Sequence, residues 1–429
     1  YQISTTSNKI TKILIANKDN RDLLTGVNSI ESFSYDKYGY PTTERTLYLG
    51  ENTTVTKQTS YDHNASVKDG YYLGVPIQQA TETTRDGKTI VERTYIPSQS
   101  KRLPHVKVTY RNGEQTSYYS YTYDEHGNKL SESYSPYTSG DSLKTTYTYD
   151  TLGRLITQTD PLGNSETITY DNLGHISSRL VDYEGTTTYS YDGFGRETEV
   201  NYPDGTIKQT SYSWDSSMDD GLYSITESIT GKPVKTITYD PLNREIRQSE
   251  TALDGSNIFV DRTYDNFGNL KTVSIPFNST SQKLTAVTYT YDKHNRKLSA
   301  AEVSGRVTTY SYSNNAVTTK VNNITAIRQY DCLGYLTSVT DNTGIISYNL
   351  TPDGQPLSVT APGDVITEFG YDKSGRRVFM RDPSLGSTQW IYDDAGNIIR
   401  EIDANLKEIK HEYNKFGHKT RTVTPEMEA

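Results

Sequence analysis

The sequence predicts an all-β fold, built as tandem antiparallel β-hairpins in one long array. Three observations predict it: a composition rich in Tyr and poor in aliphatic residues, a Tyr-Asp-x-x-Gly unit recurring from end to end, and no long segment with apolar residues at helical spacing.

Of 429 residues, 37 are Tyr and 30 are Gly, and only 33% are hydrophobic. Tyr buries its ring while its hydroxyl reaches water or a polar partner, so a chain rich in Tyr and Thr suits a half-exposed sheet. The formal net charge is -9, with both signs mixed along the chain. That argues against a nucleic-acid surface, which needs clustered Lys and Arg. The longest aliphatic run, Ile13-Leu14-Ile15-Ala16, is too short to insert into a bilayer as a helix. Cys332 is the sole cysteine, so pairing and packing must hold the sheet without an internal disulfide. The chain opens and closes in mid-pattern and reads as a fragment of a longer polypeptide.

The repeat is clearest in Tyr123-Asp124-Glu125-His126-Gly127, Tyr149-Asp150-Thr151-Leu152-Gly153, Tyr170-Asp171-Asn172-Leu173-Gly174 and Tyr191-Asp192-Gly193-Phe194-Gly195. It returns at Tyr35-Asp36 with Gly39, a good first copy, at Tyr264-Asp265 with Gly268, Tyr371-Asp372 with Gly375 and Tyr392-Asp393 with Gly396. It continues at Tyr239, Tyr291, Tyr330 and the degenerate Tyr413, and fades to weaker copies around Tyr212, Tyr312 and Tyr348. These Tyr, Asp and Gly residues are read as structural turn residues. The Asp carboxylate suits the first position of a type I turn, where it accepts backbone N–H groups two or more residues on. The Gly takes the left-handed conformation that closes the hairpin with a one-residue bulge.

A strand follows, such as Arg154 to Thr159, and then a second turn, Asp160-Pro161-Leu162-Gly163. One repeat is therefore two strands and two alternating turns. Paired aromatics such as Tyr121/Tyr123, Tyr189/Tyr191 and Trp390/Tyr392 precede many turns. Residues two apart share a face, so the rings are expected to stack into a ladder. Two parts are distinguished: residues 1–120, an irregular N-terminal part of the array, and 121–429, a regular array without linkers. About 40 strands at ~4.8 Å each would make a ribbon of roughly 190 Å, which sheet twist would bend into a curved wall or spiral.

The run Tyr-x-Tyr-Asp-x-x-Gly-Arg-Leu followed by Asp-Pro-x-Gly, whole in Tyr147 to Gly163, resembles the Rhs/YD repeat. That family includes bacterial Rhs polymorphic toxins, the B and C subunits of insecticidal toxin complexes, wall-associated bacterial proteins and the animal teneurins. The resemblance implies a hollow β-shell, which in the toxins encloses a C-terminal cytotoxic domain. It also implies a secreted, cell-surface or exported protein, whose partners would be a polypeptide cargo or adjoining repeats of the same parent. The family's Asp-Pro-x-Gly-Leu core segment beside a self-cleavage site has no counterpart here, so self-cleavage is carried onto no residue.

No catalytic, cofactor or metal site is expected. His126, His175 and His294 fall inside repeat turns, and no His pair has metal-ligand spacing. Cys332 occupies a variable turn position without a nucleophile-elbow pattern. The sequence thus favours a non-catalytic shell segment over its alternative, an adhesin that presents Tyr faces to carbohydrate.

Overall fold

The computed structural model describes residues 2–5, 11–63, 74–100, 103–135, 142–214, 221–278, 283–414 and 416–428. Among them are 37 strands and one helical turn, Pro425–Glu428. The chain is all-β, made of tandem antiparallel hairpins as the sequence predicts.

By compactness the chain forms two units. One comprises Tyr1–Tyr147, Tyr312–Thr318 and Ala326–Ala429, and the other Thr148–Ser311 and Thr319–Thr325. In the first unit, each strand from Asn17–Arg21 to Leu143–Tyr149 pairs antiparallel with the next. The strands from Ile324–Tyr330 to Lys419–Val423 do the same. In the second unit the series runs from Leu155–Thr159 to Val307–Ser313.

Compactness groups the chain differently from repeat regularity, because residues of 1–120 join the last stretch of the array. Strand length explains part of this. Val75–Arg85 has 11 residues and Lys88–Ser100 has 13, whereas repeat strands such as Leu155–Thr159 and Ile207–Trp214 have 5 and 8. The longer hairpins carry their tips to turns that are remote in sequence.

The strands alternate as a half-buried sheet should. Along Gly185–Tyr191 every second residue is exposed, and Tyr189 and Tyr191 share the inner face. The other face carries hydroxyl pairs, with Thr169 bonded to Ser178 at 2.7 Å, Thr263 to Thr272 at 2.6 Å and Thr290 to Ser299 at 2.7 Å. Among the described residues few apolar side chains are buried: Val75, Ala80, Ile90, Val108, Ile168, Val200, Ile246 and Phe277. Buried polar residues, among them Thr53, Asp240, Asp261 and Asp331, are as prominent. The sheet is therefore held by pairing and polar networks more than by a conventional core.

The two turn families differ less than expected. The Asp160 carboxylate accepts the Leu162 and Asn164 N–H groups at 2.8 and 2.9 Å, the same pattern as the tyrosine-aspartate turns described below. Other tips are two-residue loops: Asp86-Gly87, Asn112-Gly113 and Asn314-Asn315 have positive φ at both positions, the signature of type I′ turns. Where Gly is missing from the closing position, Asn243 and Asn295 adopt φ of 62°. Leu406 does so at 61° with its side chain exposed, which strains a residue with a Cβ. Leu406→Gly should raise stability by roughly 1 kcal/mol, read as a higher midpoint in urea unfolding at unchanged slope.

Candidate functional site

The repeat's chemistry is concentrated along the edge formed by the Tyr-Asp turns. In the Asp150 turn, Oδ1 accepts the N–H groups of Leu152 and Arg154, each at 2.9 Å, and Oδ2 accepts the Arg154 guanidinium at 2.7 Å. The backbone closes the same turn from Gly153 N–H to the Asp150 carbonyl at 3.0 Å, with Gly153 at φ 78°. Asp192 repeats the pattern with Phe194 and Arg196, and Asp171 with Leu173 and the His175 ring. Asp124 and Asp265 use Asn128 and Asn269 in the same slot. Asp372 uses Arg376, and Asp393 uses Asn397. Gly127, Gly174, Gly195, Gly268, Gly375 and Gly396 all have positive φ. The residue after the Gly thus completes the turn, a role the repeat motif alone did not reveal.

The tyrosines join one repeat to the one before. Tyr170 donates its hydroxyl to the Leu155 carbonyl at 2.8 Å, Tyr191 to Ile176 at 2.9 Å and Tyr264 to Glu245 at 2.8 Å. Tyr371 donates to Pro356 at 2.9 Å, Tyr392 to Arg377 at 2.7 Å and Tyr123 to Pro104 at 3.0 Å. In most cases the acceptor lies two residues beyond the closing Gly of the previous turn. Burial pushes the phenols of Tyr191, Tyr264, Tyr371 and Tyr392 above their ordinary range, so they remain donors. Tyr149 ends the strand Leu143–Tyr149 at the Asp150 turn.

The expected aromatic ladder is a mixed one. The Arg154 guanidinium lies 4.4 Å from the Tyr170 ring centre, Arg196 lies 4.2 Å from Tyr212, Arg244 lies 4.7 Å from Tyr264 and Arg376 lies 4.8 Å from Tyr392. His175 stacks on Tyr191 with centroids 4.7 Å apart. Where the residue after the Gly or Asn is Arg, the carboxylate thus holds a cation that covers the next tyrosine, as at Asp150, Asp192, Asp240 and Asp372. Tyr–Tyr contacts such as Tyr223 with Tyr239 also occur.

Within the first unit, some turns without Arg, His or Asn after the Gly receive a partner from another hairpin. The Asp331 turn has Tyr335 after its Gly, and Arg85 fills the slot, its Nη2 at 2.5 Å from Asp331 Oδ2 and its guanidinium 5.6 Å from the Tyr335 ring. Both charged side chains are nearly buried. In the Thr351 turn Arg111 reaches Asp353 at 2.5 Å and Gln355 at 3.3 Å. The neighbouring Asn112 amide donates to the Lys373 carbonyl at 3.3 Å. Asp36, followed by Tyr40, takes the His63 ring at 2.6 Å. Glu51 accepts the Cys332 N–H at 2.9 Å, and burial, with help from the Glu51 carboxylate, pushes the Cys332 thiol up to about 12. The signal that could have located Arg85 and Arg111 is the missing Arg, Asn or His after Gly334 and Gly354.

These features define a class, a tandem-hairpin array in which each unit is stapled to its predecessor. Residues 229–424 match the family model described as Teneurin YD-shell, and residues 137–165 and 170–207 match RHS Repeat. The repeats in these matched stretches are Rhs/YD repeats. Its fold is similar to that in a crystal structure of TcdB2-TccC3-TEV, at 15% identity and TM-score 0.66 over 94% of this chain and 24% of that chain. It is also similar to a Photorhabdus luminescens Tc holotoxin pore, at 16% identity and TM-score 0.52 over 93% of this chain and 23% of that one. The chain spans about a quarter of the length of the structures it matches. No curated relative matches it in sequence.

Two outcomes follow from the turn chemistry. For Asp292 desolvation acts upward, but the Arg296 N–H and guanidinium and the His294 N–H outweigh it and bring the carboxyl down to about 2. A carboxyl lowered on folding contributes stability that is present above its unfolded value and is lost as pH falls through its folded value. Thermal midpoints should therefore decline from about pH 4 toward pH 2, and Asp292→Asn should flatten that decline. For the buried Arg85–Asp331 pair, Arg85→Met should destabilise the first unit by on the order of 3 kcal/mol. A double-mutant cycle with Asp331→Asn in urea unfolding should recover most of that as coupling.

Proposed function

We propose that this chain is a non-catalytic shell segment of a secreted or surface-delivered bacterial YD-repeat protein, which encloses a polypeptide cargo and shields it from solvent and proteases. The observation that carries the reading is the commitment of the repeat's reactive side chains to the wall itself. Asp carboxylates are occupied on both oxygens, motif Tyr hydroxyls are donated to carbonyls, and the guanidiniums cover Tyr rings. The Cys332 thiol, the one cysteine of the sequence, is held protonated. The same commitment weighs against the carbohydrate-binding alternative, because sugar stacking needs an uncovered aromatic face. The fold match to Tc toxin chains supports containment as the mechanism, with adjoining repeats of the parent as the first partners. The mixed charge and the absence of a basic cluster support a polypeptide cargo over nucleic acid.

The test joins a disordered, trypsin-sensitive reporter to the C-terminal end of this chain and to an unrelated β-sheet protein of similar size. Containment predicts slower reporter cleavage on the YD chain, with the wall itself intact on the same gel. Equal cleavage rates would sink the proposal.

A further inference from the structure

One position of the turn remains unexplained by folding. The second residue after the Asp is apolar in five turns of the Thr148–Ser311 unit: Leu152, Leu173, Phe194, Leu242 and Phe267. Their exposures run from 71% at Leu242 to 88% at Phe194. The turn does not require them. His126, His294 and Ser374 hold the same position in turns with the same carboxylate bonds. All five lie on the edge where Tyr-Asp turns emerge. Leu152, Leu173 and Phe194 stand on successive turns two strands, about 10 Å, apart, as do Leu242 and Phe267. Exposed apolar rows of this kind mark an interaction surface.

The first unit shows what such a turn accepts. Leu333 holds the equivalent position in the Asp331 turn and is half-buried. Beside that turn lies the hairpin tip at Gly50–Thr53, whose Glu51 carboxylate accepts the N–H of Cys332, the first residue after the Asp. In the Thr148–Ser311 unit the corresponding N–H groups belong to Thr151, Asn172, Gly193 and Asn266. There the second carboxylate oxygen is already taken by Arg154, His175, Arg196, Arg244 or Asn269. An incoming arginine of the Arg85 kind has no slot to fill, whereas a carboxylate finds amide donors and nearby guanidiniums, with Arg196 lying 5.2 Å from the Phe194 ring.

We propose that the row Leu152, Leu173, Phe194, Leu242 and Phe267 is a docking edge for acidic β-hairpin tips of another polypeptide, which present a carboxylate to the N–H of Thr151, Asn172, Gly193 or Asn266 as Glu51 does at Cys332, while the Leu242 turn, with Pro241 after its Asp, offers only its apolar side chain. This goes beyond enclosure of a cargo, because it concerns the rim of the wall and not what lies behind it.

The probe is a disulfide-cyclised peptide of the Leu47–Val55 tip, titrated into the full chain by fluorescence polarisation. Saturable binding is expected, roughly tenfold weaker when all five row residues are changed to Ser, the residue that Ser374 shows the turn accepts. A Glu51→Gln peptide should lose affinity to a similar degree. Should the fivefold variant fail to fold by circular dichroism, Leu173→His with Phe194→His carries the same expectation, since His occupies the position at 126 and 294. Absence of saturable binding overturns the proposal, as does equal binding to the row variants or by the Gln peptide. Row-dependent self-association in sedimentation without peptide binding would also overturn it, by making a second copy of this chain the occupant.

Discussion

The hydrogen bond from motif tyrosines such as Tyr170, Tyr191 and Tyr371 to a carbonyl of the preceding repeat is the contact on which the rest of the wall depends. A sheet this thin buries few side chains completely, so it cannot draw its order from a thick apolar core. Strand pairing alone would allow neighbouring hairpins to slide by two residues without exposing a different face. A phenol of fixed length that reaches one particular carbonyl removes that freedom. The Asp turn then places the acceptor, because the carbonyl lies just past the residue that fills its second oxygen.

Cation and ring extend the same lock. Arg154 is held by Asp150 and lies over Tyr170, so the turn of one repeat also covers the aromatic staple of the next. Covering the ring shields the phenol–carbonyl bond from water and strengthens it. It also explains how a Tyr-rich surface avoids presenting a continuous sticky aromatic face.

The hairpins, the Asp–Gly turns and the inner face of the strands were legible in the sequence, because each is decided by residues within a few positions of one another. Asp150 and Gly153 announce their turn without reference to anything else. The tyrosine staple was not legible: the spacing from Tyr191 back to Ile176 becomes a contact only when two hairpins lie side by side. Arg85 and Arg111 were hidden for a stronger reason, since their partners Asp331 and Asp353 are far along the chain. The expected stack of tyrosines became a Tyr–Arg alternation because position-two pairing on a strand says nothing of what the next turn inserts. The parts 1–120 and 121–429 follow repeat regularity, whereas the compact units group Tyr1–Tyr147 with Ala326–Ala429.

The borrowed arginines separate two kinds of repeat. Copies with their own Arg, His or Asn after the Gly, such as those at Asp150, Asp171 and Asp192, are self-sufficient, and one could be duplicated or excised with little more than a change in length. The copies at Asp331 and Thr351 are addressed: each fits one place only, opposite the hairpin that lends its cation. An array grown by copying would therefore tolerate insertion in its self-sufficient stretches and resist it where the lent arginines fix the count of strands between lender and borrower.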